Sequence, residues 1–126
     1  MPGLTYDTGA LVAADRSERS MWALHRRALE RGLVPTVPAG VLAQGWRGGP
    51  QAELSRLLKG CRIEQLDESR ARAAGTACAK ARTHDIVDAA VVVGAAARLD
   101  VAVTSDPDDL SEIADSLGLE LSLIHI

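Results

Sequence analysis

From Ile86 to Ala97 the chain reads Ile-Val-Asp-Ala-Ala-Val-Val-Val-Gly-Ala-Ala-Ala, and Asp88 is the one ionisable residue in it. A helix that is apolar on every side belongs in an interior. The rest of the chain must therefore supply layers that cover it. An ionised carboxylate in such surroundings is costly unless it has a partner, a metal or a shifted pKa. Nothing about helix stability asks for an acid at that point, so Asp88 reads first as chemistry.

The segments on either side alternate short apolar runs with helically spaced ones. Leu4–Tyr6 predicts a strand and Thr8–Ala14 a helix. Ser17-Glu18-Arg19-Ser20 opens a second helix, whose Met21, Leu24, Ala28 and Leu29 recur at helical spacing until Gly32. Leu33–Val37 predicts a second strand and Pro38 the turn into a helix over Ala39–Trp46. Gly48-Gly49-Pro50 breaks that helix, and another follows over Gln51–Leu58, ended by Gly60. A third strand is expected over Cys61–Leu66, then an Ala- and Arg-rich helix from Asp67 to about Arg82. After the apolar helix come a strand over Val101–Thr104, a helix opening at Asp106-Pro107 and ending at Gly118, and a last strand. This alternation predicts an α/β fold with helices on both faces of a mostly parallel sheet.

Composition narrows the classes. With 126 residues and 47% hydrophobic side chains, the chain suits one domain with a sizeable core. It has no Phe, so that core must come from Ala, Val, Leu and Ile. A formal net charge of −3 advertises no nucleic-acid binding, and any such contact must come from local basic residues. Cys61 and Cys78 lack metal-type spacing and read as reduced thiols of a cytoplasmic protein. No leader and no membrane-length apolar run is visible, so neither a signal peptide nor a membrane span is expected. A single domain over residues 1–120 is expected. The segment Leu121-Ser122-Leu123-Ile124-His125-Ile126 is what a transposon end used in sequencing-library preparation encodes. The native chain is therefore expected to diverge after about Glu120.

Two more aspartates stand where strands should end, Asp7 after the first and Asp106 after Val101–Ser105. In open α/β sheets ligands bind beyond the carboxyl ends of the strands. Asp7, Asp88 and Asp106, with no matching Lys or Arg in their segments, point to a cation. Mg²⁺ takes oxygen ligands and keeps several waters, so two or three carboxylates from different elements suffice. Asp85 lies three residues before Asp88, on the same side of the helix start, where it would complete an acidic rim.

Four segments in this order, Tyr6-Asp7-Thr8-Gly9-Ala10-Leu11, Val41-Leu42-Ala43-Gln44-Gly45-Trp46-Arg47, Asp85-Ile86-Val87-Asp88-Ala89-Ala90 and Thr104-Ser105-Asp106, resemble the motifs of PIN domains. They are most similar to the VapC-like toxin ribonucleases of type II toxin–antitoxin pairs, and the resemblance spans about Leu4 to Leu119. It implies a three-layer α/β/α fold and a Mg²⁺- or Mn²⁺-dependent endoribonuclease acting on RNA. It also implies a homodimer and a cognate antitoxin protein that masks the site. On this reading Asp7 and Asp88 are direct metal ligands, Asp106 is a ligand directly or through water, and Asp85 and Gln44 complete the catalytic set. Gln44 departs from the pattern, because the family carries a glutamate there. An amide has neither the charge nor the basicity of a carboxylate, so weaker metal binding is expected. A PIN-like module that binds an antitoxin or RNA without cleaving it is the alternative.

Plainer roles compete. Asp7 ends a strand, Asp106 before Pro107 reads as a helix N-cap, and Asp85, Asp108 and Asp109 suit the first turns of helices. His84-Asp85, with His25, also fits a metal-dependent phosphohydrolase of the HD type. That family is all-helical, which the strand before Asp106 counts against. His25 falls on the apolar stripe of its helix and reads as a packed edge residue. Thr8 and Thr104 are placed to bond neighbouring carboxylates, and Arg47 and Arg82 to meet RNA phosphates. Arg26, Arg27, Arg70 and Arg72 read as solvated helix faces, and Gly94 as a close-packing position.

Overall fold

The computed structural model describes residues 2–126. Its elements in chain order are β1 (Leu4–Tyr6), α1 (Thr8–Asp15), α2 (Arg19–Glu30), β2 (Thr36–Pro38), α3 (Ala39–Gly45), α4 (Ala52–Leu58), β3 (Arg62–Glu64), α5 (Glu68–Ala81), α6 (Ile86–Arg98), β4 (Val101–Thr104), α7 (Pro107–Ser116) and β5 (Ser122–His125). The strands form one sheet in the order β3-β2-β1-β4-β5, every neighbouring pair parallel. From β1 the chain steps outward through β2 to β3, then returns to the other side of β1 to lay down β4 and β5. The order therefore reverses between β1 and β4, and a crevice opens at their carboxyl ends.

The expected alternation is present, with strand ends displaced. β2 begins at Thr36 rather than Leu33, because Gly32 turns at φ +76° and Val34 is 62% exposed. β3 shrinks to three residues. It is the sheet's outer strand on that side, with one neighbour to pair with. Residues 122–125 pair along β4, Val101 with Ser122 through Thr104 with His125, and Ile126 N–H donates to the Thr104 carbonyl at 3.0 Å.

The core is aliphatic, as a chain without Phe requires. Leu11, Met21, Leu54, Leu57, Val91, Val92, Val103 and Leu110 are fully buried. The one tyrosine joins them: Tyr6 Oη lies 2.8 Å from His25 Nδ1, and Trp22 meets the imidazole edge-on. His25 is thus a packed side chain with its own partner. Arg70 departs from the solvated reading. It joins a half-buried ion network in which Glu64 pairs with Arg70 and Arg98, and Arg98 with Asp100. Arg72 stays exposed, paired with Glu68 one turn away. Among the described residues no helix is long and apolar enough to cross a membrane.

Candidate active site

Asp7 follows β1 and caps α1. One carboxylate oxygen accepts the Thr8 N–H at 2.8 Å, and the other accepts the Thr104 hydroxyl at 2.8 Å. The group is 5% exposed. Burial pushes its pKa up, the two hydrogen bonds pull it down, and the nearby charges of Asp85 and Asp106 push it up again. Thr104 is fully buried at the end of β4, next to β1, and its hydroxyl also accepts the Asp106 N–H at 2.9 Å. One side chain thus ties the two strand ends together.

Asp106 occupies the N-cap position of α7 with Pro107 behind it, but its carboxylate makes no capping bond. This corrects the expected cap. The turn is fixed instead by the Thr104 hydroxyl, through the Asp106 N–H. The carboxylate is left exposed and free.

Asp88 is also placed differently from its reading as an acid inside an all-round apolar helix. It falls in the first turn of α6, where Ile86 is 52% exposed and the apolar faces begin only at Ala89. An acid in that turn suits the helix dipole, so helix stability does ask for one here. Its surroundings still oppose the charge. Partial burial first, then Asp7, Asp85 and Asp109, push its pKa up to about 7. Asp85 caps the same helix, accepting the Asp88 N–H at 3.0 Å.

Gln44 projects from α3, and its side-chain oxygen accepts the Thr8 hydroxyl at 2.6 Å. Asp7, Gln44, Asp88 and Asp106 line one open cleft of about 490 Å³. Asp85 is not on its wall, and reaches the cleft by its charge on Asp7 and Asp88. Gly9 closes α1 onto the end of β4: a Cβ there would stand 3.1 Å from the Ser105 backbone nitrogen and 2.7 Å from its Cβ.

Sequence reasoning missed Arg16. With Thr8, Gly9, Val12 and Ala13 it forms one face of α1 and its cap, directed at the cleft. The signal was the helical spacing from Thr8. Arg47 is engaged elsewhere, donating to the Ala43 and Gln44 carbonyls at 2.8 Å, and Arg82 ends α5 in a left-handed turn at φ +55°. Neither lines the cleft.

Among the described residues no three His, Cys, Asp or Glu side chains close on one point as a metal-holding group. The cleft nevertheless fits a hard divalent cation in kind. Its donors are all oxygen, neither cysteine lines it, and no Lys or Arg pairs with Asp7, Asp85, Asp88 or Asp106 among the described residues.

A three-layer α/β/α fold with a parallel five-stranded sheet and an acidic cleft at its switch point is a PIN-like fold. A solved structure shares it: a chain in the crystal structure of VapBC2 from Rickettsia felis bound to a DNA fragment from their promoter. That chain is 16% identical, with 98% of each chain covered and a TM-score of 0.71. No family model and no curated protein sequence matches the chain. At that identity the likeness fixes the fold, and the expected PIN-like architecture is the one observed.

Proposed function

We propose that this protein is a VapC-like toxin, a metal-dependent endoribonuclease that hydrolyses RNA phosphodiester bonds. The observation that carries the reading is the meeting of Asp7, Gln44, Asp88 and Asp106 in one cleft at the switch point, with no Lys or Arg paired to the three acids among the described residues. Asp7 and Asp88 would hold Mg²⁺ or Mn²⁺, with Asp106 reached directly or through water. Such an ion polarises a phosphate and lowers the pKa of an attacking water. Asp7 is aimed by Thr8 and Thr104, and Asp85 fixes the start of α6 beneath Asp88. The reading includes a cytoplasmic location, a homodimer and an antitoxin partner that covers the cleft. The solved neighbour's VapBC2 complex supports an antitoxin partner.

A second reading has its own support. Gln44 brings no charge, and its carbonyl oxygen is already engaged by Thr8. A PIN-like module that binds antitoxin or RNA without cutting follows from that. Incubating purified protein with a labelled RNA pool and Mg²⁺ or Mn²⁺ separates the two readings. Cleavage that disappears in Asp7→Asn is expected. No cleavage under any condition, with RNA or antitoxin still bound, would favour the module.

A further inference from the structure

A second open cavity of about 490 Å³ lies on the α2 side of the sheet, toward the amino ends of the strands. Leu4 of β1, Val101 of β4 and Ile124 of β5 form its floor, and Leu24, Arg27 and Arg31 form its α2 wall. It shares no lining residue with the acidic cleft but adjoins it along the chain. Ile124 lines one cavity and Ile126, two residues further on the same extended stretch, lines the other. Residues two apart on a strand face the same way, about 7 Å from each other. On the opposite side the wall passes from Arg16 at the end of α1, past the acid Glu18, to Leu24, Arg27 and Arg31 along and just after α2. The two cavities are therefore the ends of one trough between α1–α2 and the β5 edge.

The charge along that trough is unlike that of the chain. Residues 16–31 hold five arginines against two glutamates, in a protein whose net charge is −3. Arg16, Arg27 and Arg31 are exposed, and none pairs with an acid among the described residues. A basic residue near the C-terminus of α2 suits the helix dipole. The dipole does not, however, ask Arg27 and Arg31 to share one wall of a groove, nor Arg16 to face an acidic cleft.

We propose that this trough is a phosphate track for single-stranded RNA, in which Arg16, Arg27 and Arg31 hold backbone phosphates on one side of the bond that lies over the acids. The proposal rests on the nuclease reading for the cut, not for the binding. The floor has no aromatic ring on which bases could stack, so the track positions the strand without reading its sequence. All three arginines precede residue 120, whereas the β5 edge of the trough is built by Ile124 and Ile126, within residues 121–126.

The test compares the full chain with its Arg27→Ala/Arg31→Ala variant, by anisotropy of a fluorescent single-stranded RNA pool in EDTA over a salt series. Each phosphate contact on a single strand contributes about 0.7 to the slope of log K against log salt. The variant should bind more weakly, with a slope shallower by about 1.4. Arg27→Lys/Arg31→Lys should keep the slope, and Arg72→Ala on α5 should leave it unchanged. With Mn²⁺ the alanine variant should show a raised KM and an unchanged kcat. An unchanged slope in a protein that still cuts RNA would overturn the track and leave the nuclease reading standing. A shallower slope in a protein that never cuts would do the reverse. Arginine-dependent binding of a polyglutamate peptide, with RNA binding unaltered, would assign the trough to an acidic protein segment and overturn the proposal.

Discussion

Replacing Asp88 by Asn should stabilise the metal-free protein at neutral pH and leave it unchanged in acid. In the fold the Asp88 carboxyl sits at about 7, against about 3.9 in an unfolded chain. Well below pH 4 both states are protonated and the group costs nothing. Between pH 4 and 7 the unfolded chain ionises first, so stability falls as pH rises, and above 7 the whole penalty is present. At full weight a shift of that size is about 4 kcal/mol. Asp88 stands at the mouth of an open cleft, and water screening there reduces the figure to about 2 kcal/mol. Asn forfeits an acid in the first turn of α6, worth up to about 1 kcal/mol. The net gain is about 1 kcal/mol above pH 7, or roughly 3–5 °C in Tm for a chain of this size. Saturating Mn²⁺ should invert the order, since an ion at about 100 times its Kd adds about 2.7 kcal/mol to whichever protein binds it. Thermal melts at pH 3 and 8, with and without Mn²⁺, check all of this. Equal destabilisation in all four conditions would refute it and leave Asp88 as a structural partner of Asp85.

Gln44→Glu should raise RNA cleavage by about 10²–10⁴-fold, the usual worth of a positioned general base, in a labelled-RNA assay at matched Mn²⁺. Thr104→Val removes the hydroxyl that serves both Asp7 and the Asp106 N–H. It should cost about 1–3 kcal/mol in urea denaturation and weaken Mn²⁺ binding. Gly9→Ala drives a methyl against Ser105 and should cost about 1–3 kcal/mol, with cleavage falling as the two strand ends are forced apart.

The fold was legible because its signals are local and repeated. Apolar runs, glycine stops and Pro107 recur at lengths that only α/β layering accommodates, and the strand over Val101–Thr104 was legible to the residue. Edges were less so, since the length of β3 depends on how many neighbours it has, and that is a property of the sheet. Asp7 and Asp106 could be placed from strand ends. The bond that joins those ends could not, because Thr104 acts across the β1–β4 pairing, 97 residues from Asp7. Asp88 was over-read because an apolar run does not say which of its turns is covered, and the first turn of α6 opens to solvent at Ile86. Arg16 was under-read because a lone arginine after an apolar helix resembles any solvated end.

The net charge of −3 suggested a surface with no bias toward nucleic acid, yet it averages over two opposed regions. The acids gather at the carboxyl edge of the sheet and the arginines run along α2. A strand of RNA laid in the trough would be drawn to one end and repelled at the other until a divalent cation neutralises the acids. Metal and RNA should then each tighten the other's binding, and linkage requires the two effects to be equal. Screening alone acts in the opposite sense, since added salt weakens phosphate contacts. A rise in RNA affinity on adding Mn²⁺ at constant ionic strength, smaller in Asp88→Asn, is the signature of coupling through the cleft. A fall in affinity, equal in both proteins, would mean that the acidic and basic ends do not serve one ligand.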